Sequence, residues 1–451
     1  MSRSVRLRRT IRVWRLTVRN AVRFVVHRGR RTMAGSTRKA ELDERFAIRT
    51  SQDVARELGN MKGALMKFGQ MLSFIVEALP PSAQQALSSL QADAPPMAPS
   101  AAAAVVRGEL GADPAQVFLD WQPVPIAAAS VGQVHRAVTR DGRDVAVKVQ
   151  YPGVGDAIEA DLANTEGLYR LVGAFALKGL DHRALVNELR ERMLDELDYR
   201  LEAANQTEFA THFAGHPHVS IPAIDAATST GRVLTSEWVD GLRFDEFLAT
   251  AGPTARQHAA ESIWRFAQYS IHHLRAFNGD PHPGNYLFNR HGDVTFLDFG
   301  LVKRFAPGTW EELQPSVEAI VVHRDPERLV RTMENVGFLA PGHGLPAEAV
   351  YQYVSTPYLP YLSDRFAFTR DTVKDAMATI IDVKGPHAEV IERLNMPVSF
   401  VILDRVVWGV SAILGKLGAE APWRAMLLEY LHDAPAATPM GVAERAWRDH
   451  N

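Results

Sequence analysis

The chain has no cysteine. Disulfides, thiolate metal centres and a cysteine nucleophile are therefore excluded, and a reducing compartment is compatible with the sequence. It also lacks any run of about 18 uninterrupted apolar residues. The best candidate, Pro397 to Leu417, carries Asp404, Arg405 and Lys416, and so reads as an amphipathic or buried helix instead of a membrane span. Charge of either sign is in balance: net charge is −2, which gives the whole molecule no bias toward nucleic acid. With 451 residues, 46% hydrophobic and 23% charged, the chain suits a soluble globular protein of one large two-lobed domain or two to three small ones.

One absence is local. Residues 1–40 contain no Asp or Glu, but many Arg. Arg8, Arg12, Arg15, Arg19 and Arg23 recur at helical steps beside a stripe of Ile11, Trp14, Val18, Val22 and Val25. This pattern describes a basic amphipathic helix, suited either to an anionic membrane surface or to packing against protein. Arginines interrupt the apolar stretch and no small-residue cleavage site follows, unlike a secretory signal.

Residues 41–79 read as helix, with Leu58, Met61, Leu65, Phe68, Leu72 and Ile75 on one face, and Leu79-Pro80-Pro81 ends them. A helix over 82–92, a turn through Ala94–Pro99 and a short helix over 100–111 follow. From about 117 the pattern changes to strands: Val131–Val138, the turn Arg140–Arg143 and Asp144–Val149 make a hairpin signal. Helical periodicity returns at 156–177 and 182–213. Val219–Pro222 and Arg232–Val239 read as strands, and the chain is mostly helical from Phe244. The expected division is a basic segment 1–40, a helical extension 41–116, a small β lobe 117–240 and a helical large lobe 241–451. The fold class is α+β, a protein-kinase-like layout.

The chemistry concentrates in three motifs. Asp280-Pro-His-Pro-Gly-Asn285 places an acid and an amide five residues apart in a Pro- and Gly-rich loop after a helix over 255–277. Asp298-Phe-Gly300 follows across a hairpin. Asn285 and Asp298 offer hard oxygen ligands for Mg²⁺, and Asp280 an acid to orient or deprotonate a nucleophile. Upstream, Val145-Ala-Val-Lys148 supplies a strand lysine able to meet the phosphates of ATP. Such a lysine needs a carboxylate on a nearby helix, and Glu191, Asp195, Glu196, Asp198 and Glu202 are candidates. His282 reads as a loop histidine that shapes the turn. Ala127-Ala-Ala-Ser130 stands where a glycine-rich phosphate loop would lie; Ala128, Ala129 and Ser130 make it stiffer, yet still able to present backbone N–H groups. Thr235–Gly241 occupies the inter-lobe hinge position, with Glu237 to Val239 facing adenine. ATP and Mg²⁺ are the implied cofactors.

Together these residues resemble the UbiB (AarF-type) atypical kinase-like family over roughly residues 50–420. The most specific elements are Lys67-Phe-Gly-Gln70, Ala127–Ser130 and Glu196-Leu-Asp-Tyr-Arg-Leu-Glu202, which ordinary protein kinases lack. The resemblance implies that Lys67 and Gln70 belong to an extension folded over the nucleotide site. It implies that Glu196 and Asp198 face that extension, that Glu202 pairs with Lys148, and that Asn285 and Asp298 bind metal. It also implies ATPase activity and a link to isoprenoid-lipid or quinone metabolism, with a cytoplasmic protein held peripherally at the inner face of a membrane. No Ala-Pro-Glu follows Gly300 within activation-segment distance, which argues against a protein substrate.

The leading expectation is a Mg²⁺-dependent ATPase or small-molecule kinase. The alternative is a nucleotide-gated scaffold or hydrophobic-ligand-binding regulator with little turnover. A Walker loop is rejected: Gly409 to Gly415-Lys416 has five intervening residues where four are needed, and Leu417 replaces Ser or Thr.

Overall fold

The structure is a computed structural model that describes residues 97–129, 131–156, 187, 190–191, 193–382, 385–395 and 398–450. Lys67, Gln70, Ser130 and the basic segment 1–40 lie outside the described residues.

A small antiparallel sheet forms the first lobe. Strands β1 (Asp120–Trp121), β2 (Ala127–Ala128), β3 (Gly132–Val138) and β4 (Asp144–Gln150) lead to β6 (Val233–Glu237), in the order β1-β3-β4-β6 with β2 beside β3. The β3–β4 turn uses Gly142 at φ 87°, a left-handed conformation that glycine adopts without a Cβ penalty. Alternation along β4 sends Val145, Val147 and Val149 inward. They pack with Ala102, Val105 and Val106 of α1 (Pro99–Leu110) and with Phe118 after α2 (Pro114–Val117). Gly111, at φ 77°, caps α1 by donating its N–H to the Arg107 carbonyl. The same alternation turns Ala146 and Lys148 to the opposite face, and Val134 lies directly across from Lys148.

Helical periodicity predicts one helix over 182–213, but the structure interrupts it. Glu196 and Leu197 form a turn, Asp198 is extended at φ −116°, and α3 (Tyr199–His212) starts afresh. The Asp198 carboxylate accepts the Arg200 N–H at 3.1 Å, so its side chain does the work of an N-cap.

In the larger lobe, β5 (Val219–Ser220), β10 (Val294–Phe296), β9 (Tyr286–Phe288) and β7 (Leu242–Arg243) form a sheet in that order, with β5 parallel to β10. After β7 come α4 (Phe244–Thr250) and α5 (Pro253–Tyr269). Every residue from Ala259 to Ala267 on α5 is buried, which makes it the central helix. The helix expected to run to 277 ends earlier: a π turn at Ser270–Leu274 and a left-handed Arg275 (φ 53°) turn the chain into β8 (Ala276–Asn278), which pairs with β11 (Val302–Arg304). Helices α6 (Thr309–Glu318), α7 (Pro326–Asn335), α8 (Ala347–Val354), α9 (Arg370–Ile381), α10 (Ala388–Arg393), α11 (Val398–Leu417), α12 (Trp423–Leu431) and α13 (Pro439–Arg448) complete the lobe, with the pair β12 (Phe366–Ala367) and β13 (Glu420–Ala421). Helix α11 is the Pro397–Leu417 candidate, and among the described residues no helix is long and apolar enough to cross a membrane.

Both glycines of the rejected Walker-like run serve packing. A Cβ on Gly409 would lie 2.5 Å from Pro281 Cγ, so glycine lets α11 back the 280–285 loop. A Cβ on Gly415 would meet the Thr369 carbonyl oxygen at 3.0 Å. The main core of this lobe is rich in aromatic rings, among them Trp264, Phe266, Phe296 and Trp423.

Candidate functional site

Lys148 reaches across from the β4 face to α3. Its Nζ donates to both Glu202 oxygens at 2.8 Å and lies 3.6 Å from Asp298 Oδ2. The lysine side chain is 14% exposed and Glu202 6%, whereas Asp298 is 29% exposed and forms the open side of the cluster. The Lys148 ammonium also stands 5.1 Å from the centre of the Tyr199 ring. Of the five candidate carboxylates, Glu202 is thus the one at Lys148.

Burial pushes the Glu202 carboxyl up to about 7 against the pull of the Lys148 ammonium, and Asp298 and Glu196 add to the rise. Burial disfavours the lysine ammonium, but Asp298 and Glu202 outweigh it and hold Lys148 charged well above its ordinary value. One ammonium among these carboxylates leaves a surplus of negative charge.

The hairpin β9–β10 positions Asn285 and Asp298. Asn285 and Leu297 flank its open end, where the Leu297 N–H donates to the Asn285 carbonyl at 2.9 Å, so Asn285 and Asp298 emerge together. The Asn285 amide nitrogen donates to the Asp280 backbone carbonyl at 3.1 Å and to Asp280 Oδ2 at 3.3 Å. Its nitrogen spent, Asn285 offers its carbonyl oxygen to a cation. Asn278 ties the two loops: its Nδ2 donates to the Asp298 carbonyl at 2.6 Å, and its Oδ1 accepts the Asp280 N–H at 3.0 Å. Asp298 Oδ1 accepts the Gly300 N–H at 2.9 Å. A carboxylate, an amide oxygen and surplus negative charge make an all-oxygen set that fits Mg²⁺.

Phe299 is fully buried against Phe209 of α3, with ring centres 5.0 Å apart, and its carbonyl accepts Asn205 Nδ2 at 3.0 Å. The helix that carries Glu202 is therefore fastened to the segment that carries Asp298. His282 is exposed, and its Nδ1 accepts the Gly284 N–H at 3.0 Å, as expected of a turn-shaping histidine.

Ala128 lies in β2 against Gln133 of β3, and the Ala129 N–H donates to the Gly132 carbonyl at 2.8 Å. Glu237 ends β6 opposite Val145, and its N–H is taken by the Ala223 carbonyl at 2.8 Å. Val239 follows, half-buried, before Gly241, where a Cβ would lie 2.9 Å from Leu287 Cβ. Glu196 is buried beside Tyr199, and Asp198 is occupied as the α3 cap. Sequence reading missed Asn205 and Tyr199. Both stand one helical turn from Glu202, at i+3 and i−3, and that spacing was the available signal. It also missed Val134, which only the β3–β4 register places beside Lys148.

The model of the ABC1 atypical kinase-like domain matches residues 89–333, more than half of the chain. The chain belongs to this family. It is 30% identical over 399 residues to an uncharacterised chloroplast aarF domain-containing protein kinase of Arabidopsis thaliana, covering 85% of this chain and 54% of that protein. It is 32% identical to the Arabidopsis chloroplast protein named Activity of bc1 complex kinase 1, covering 66% of this chain and 44% of that one. The chain thus spans about half the length of these curated relatives or less. A Mycobacterium tuberculosis protein solved in complex with erythromycin superposes with a TM-score of 0.62 at 32% identity, covering 85% of this chain and 95% of that one. The family and the kinase-like fold expected from the sequence are thereby established.

Proposed function

We propose that the cleft binds ATP with Mg²⁺ and turns it over as an ATPase or as a kinase whose substrate is not a protein. The observation that carries this is the joint placement of Lys148, Glu202 and Asp298, with Asn285 fixed at the mouth of the same hairpin. In this reading Val134 and Ala146 roof the adenine, and the hinge beyond the spent Glu237 N–H meets its edge. Ala128, Ala129 and Ser130 face the phosphates, and Lys148, held charged by Glu202, neutralises them. Asn285 and Asp298 hold Mg²⁺, which shields the phosphate charge, and Asp280 orients the attacking oxygen. Lys67 and Gln70 of the 41–116 extension, with Glu196 and Asp198, restrict access, and residues 117–240 and 241–451 make the two lobes.

The physiological role we propose is in isoprenoid-lipid or quinone metabolism at the cytoplasmic face of a membrane, the basic segment 1–40 giving peripheral contact. Only six residues, three of them in β11 of the short pair β8–β11, separate Gly300 from the Pro307-Gly308 that opens α6. That leaves little platform for a peptide and favours a small or lipid substrate. A second reading, a nucleotide-gated regulator that binds a hydrophobic ligand with little turnover, draws support from the relative solved with erythromycin, a large macrocyclic ligand.

The test is Mg²⁺-dependent ATP hydrolysis with and without anionic liposomes, beside Asp298→Asn. Turnover that rises with liposomes and disappears in the variant supports the enzyme. Tight ATP binding without turnover in any condition selects the regulator, and full activity in Asp298→Asn overturns the site.

A further inference from the structure

The closed end of the β9–β10 hairpin gathers residues that the nucleotide site does not use. His218 Nδ1 lies 2.9 Å and His258 Nε2 2.8 Å from the same oxygen, Asp293 Oδ1. The two imidazoles meet edge to face, with centres 4.6 Å apart at 88°, so their nitrogens converge instead of stacking away. All three candidate donor atoms lie within 4.8 Å of one another. They come from three elements: the approach to β5, helix α5 and the start of β10.

The local chain is built to bring them together. Gly292 adopts φ 99°, and a Cβ there would lie 2.3 Å from the Ala255 carbonyl oxygen and 3.0 Å from the Ala259 nitrogen. Only glycine lets this turn sit so close against α5, which is what sets Asp293 beside His258. Asn289 then fixes the carboxylate: its Nδ2 donates to Asp293 Oδ2 at 2.7 Å, while its Oδ1 accepts the N–H groups of His291, Gly292 and Asp293. On the other side, His216 Nδ1 accepts the N–H groups of His218 and Val219, fixing the backbone that carries His218. An outer group that orients a ligating carboxylate is the usual companion of a metal site.

We propose that His218, His258 and Asp293 form a second cation site, for a zinc-class divalent ion. Two imidazoles and one carboxylate suit that borderline class and are poor for Mg²⁺. At metal–ligand bonds of about 2.0–2.1 Å, tetrahedral donor atoms stand roughly 3.3 Å apart. The present 2.8 and 2.9 Å separations need to open by only about half an ångström. The three side chains are 21%, 27% and 34% exposed, so the fourth position is reached by water. The site stands at the opposite end of β10 from Asp298, roughly 16 Å away at about 3.3 Å per residue. It therefore clamps the turn of the hairpin whose other end carries Asn285 and Asp298.

The test is equilibrium dialysis of chelator-stripped full-length protein against Zn²⁺, in excess Mg²⁺ to saturate the oxygen-rich cleft. Wild type binds one ion, with affinity at least ~10-fold above that of His258→Gln and Asp293→Ala, and Asn289→Ala weakens it ~10- to 100-fold through the carboxylate it orients. Far-UV circular dichroism checks that the variants fold. X-ray absorption at the zinc edge of wild type alone reads two imidazole ligands and does not depend on any variant. Equal binding by wild type and folded variants, no zinc bound at micromolar concentration, or an edge spectrum without imidazole scattering overturns the proposal.

Discussion

Replacing Phe299 with alanine tests whether α3 is held by the Asp-Phe-Gly segment. The ring is fully buried, 5.0 Å from Phe209. Beyond Phe209 the rings of Phe213, Phe266 and Phe296 continue the contact, and Trp447 of the last helix closes it, 6.1 Å from Phe213. A phenylalanine of about 200 Å² at ~25 cal/mol per Å² represents ~5 kcal/mol of burial. Alanine keeps part of that area, and partial collapse limits the cavity, so the expected loss is ~4 kcal/mol. Phe299→Leu keeps most of the volume and costs under about 1.5 kcal/mol. Urea denaturation gives both numbers, and a double-mutant cycle with Phe209→Leu isolates the ring pair, expected to couple by ~0.5–1.5 kcal/mol. Because Glu202 and Phe209 share α3, ATP affinity falls in Phe299→Ala and is retained in Phe299→Leu. A loss below ~1 kcal/mol for Phe299→Ala, or zero coupling to Phe209, would show that α3 is held in some other way.

Arg265 is 1% exposed and donates to Glu261 at 2.8 Å and to Glu429 at 2.9 and 3.1 Å, with Glu444 at 3.4 Å. Arg265→Met strands three buried carboxylates and lowers stability by ~3–5 kcal/mol in urea titration; a neutral result would refute the pairing. His272, 7% exposed, has its pKa lowered to about 3 by burial first, then by His273 and Arg275. The unfolded chain takes up this proton before the folded one, so stability is intact above the ordinary value near 6.5 and falls by ~1.4 kcal/mol per pH unit below it, until about 3. His272→Gln flattens the slope by one proton in melts run from pH 7 to 5. At Gly132 a Cβ would lie 2.3 Å from the Val149 carbonyl oxygen and 2.8 Å from the Tyr199 hydroxyl. Gly132→Ala therefore parts β3 from β4 next to Lys148, costs ~1–3 kcal/mol and weakens ATP binding, both readable in one calorimetric titration series.

Much of the site was legible because its motifs are short and local. Asp280 and Asn285 share one loop, and Asp298 follows across a hairpin that alternation and turn residues announce. Lys148 was legible for the same reason, since Val145, Val147 and Val149 on one face imply Lys148 on the other. The pairing with Glu202 was not readable from spacing: five carboxylates stood on one apparent helix. What decides among them is the break at Glu196–Asp198, where the Asp198 cap restarts the helix and rotates its register. Helical periodicity runs through such a break because the turn is shorter than the window that detects it. The aromatic row was hidden for a different reason. Phe209 and Phe213 are neighbours at the end of α3, but Phe266, Phe296 and Trp447 come from distant segments, and each by itself is an ordinary core ring. The His218–His258–Asp293 cluster was equally silent, since parallel pairing of β5 with β10 is a long-range choice that no local pattern encodes.

The charge balance of the cleft and the anchoring of α3 address the same physical problem. Burial lifts the Glu202 pKa to about 7 even with Lys148 in contact, so its charge depends on that ammonium. A freely swinging α3 would let Glu202 leave Lys148, and Lys148 would then turn wholly to Asp298, 3.6 Å away. That competition would tie up the carboxylate proposed to hold Mg²⁺. Phe299 prevents it mechanically: it fixes α3 through Phe209, while its own backbone carbonyl holds Asn205, and its neighbours Asp298 and Gly300 close their turn by the Oδ1 to N–H bond. Glu202 is thereby kept on Lys148, and Asp298, the most exposed of the three, is left facing the open side, where an added cation relieves the surplus negative charge. Compared with a kinase whose equivalent helix swings to switch activity, this arrangement leaves little to regulate at α3 itself. Control of the site then falls to whatever covers the open side.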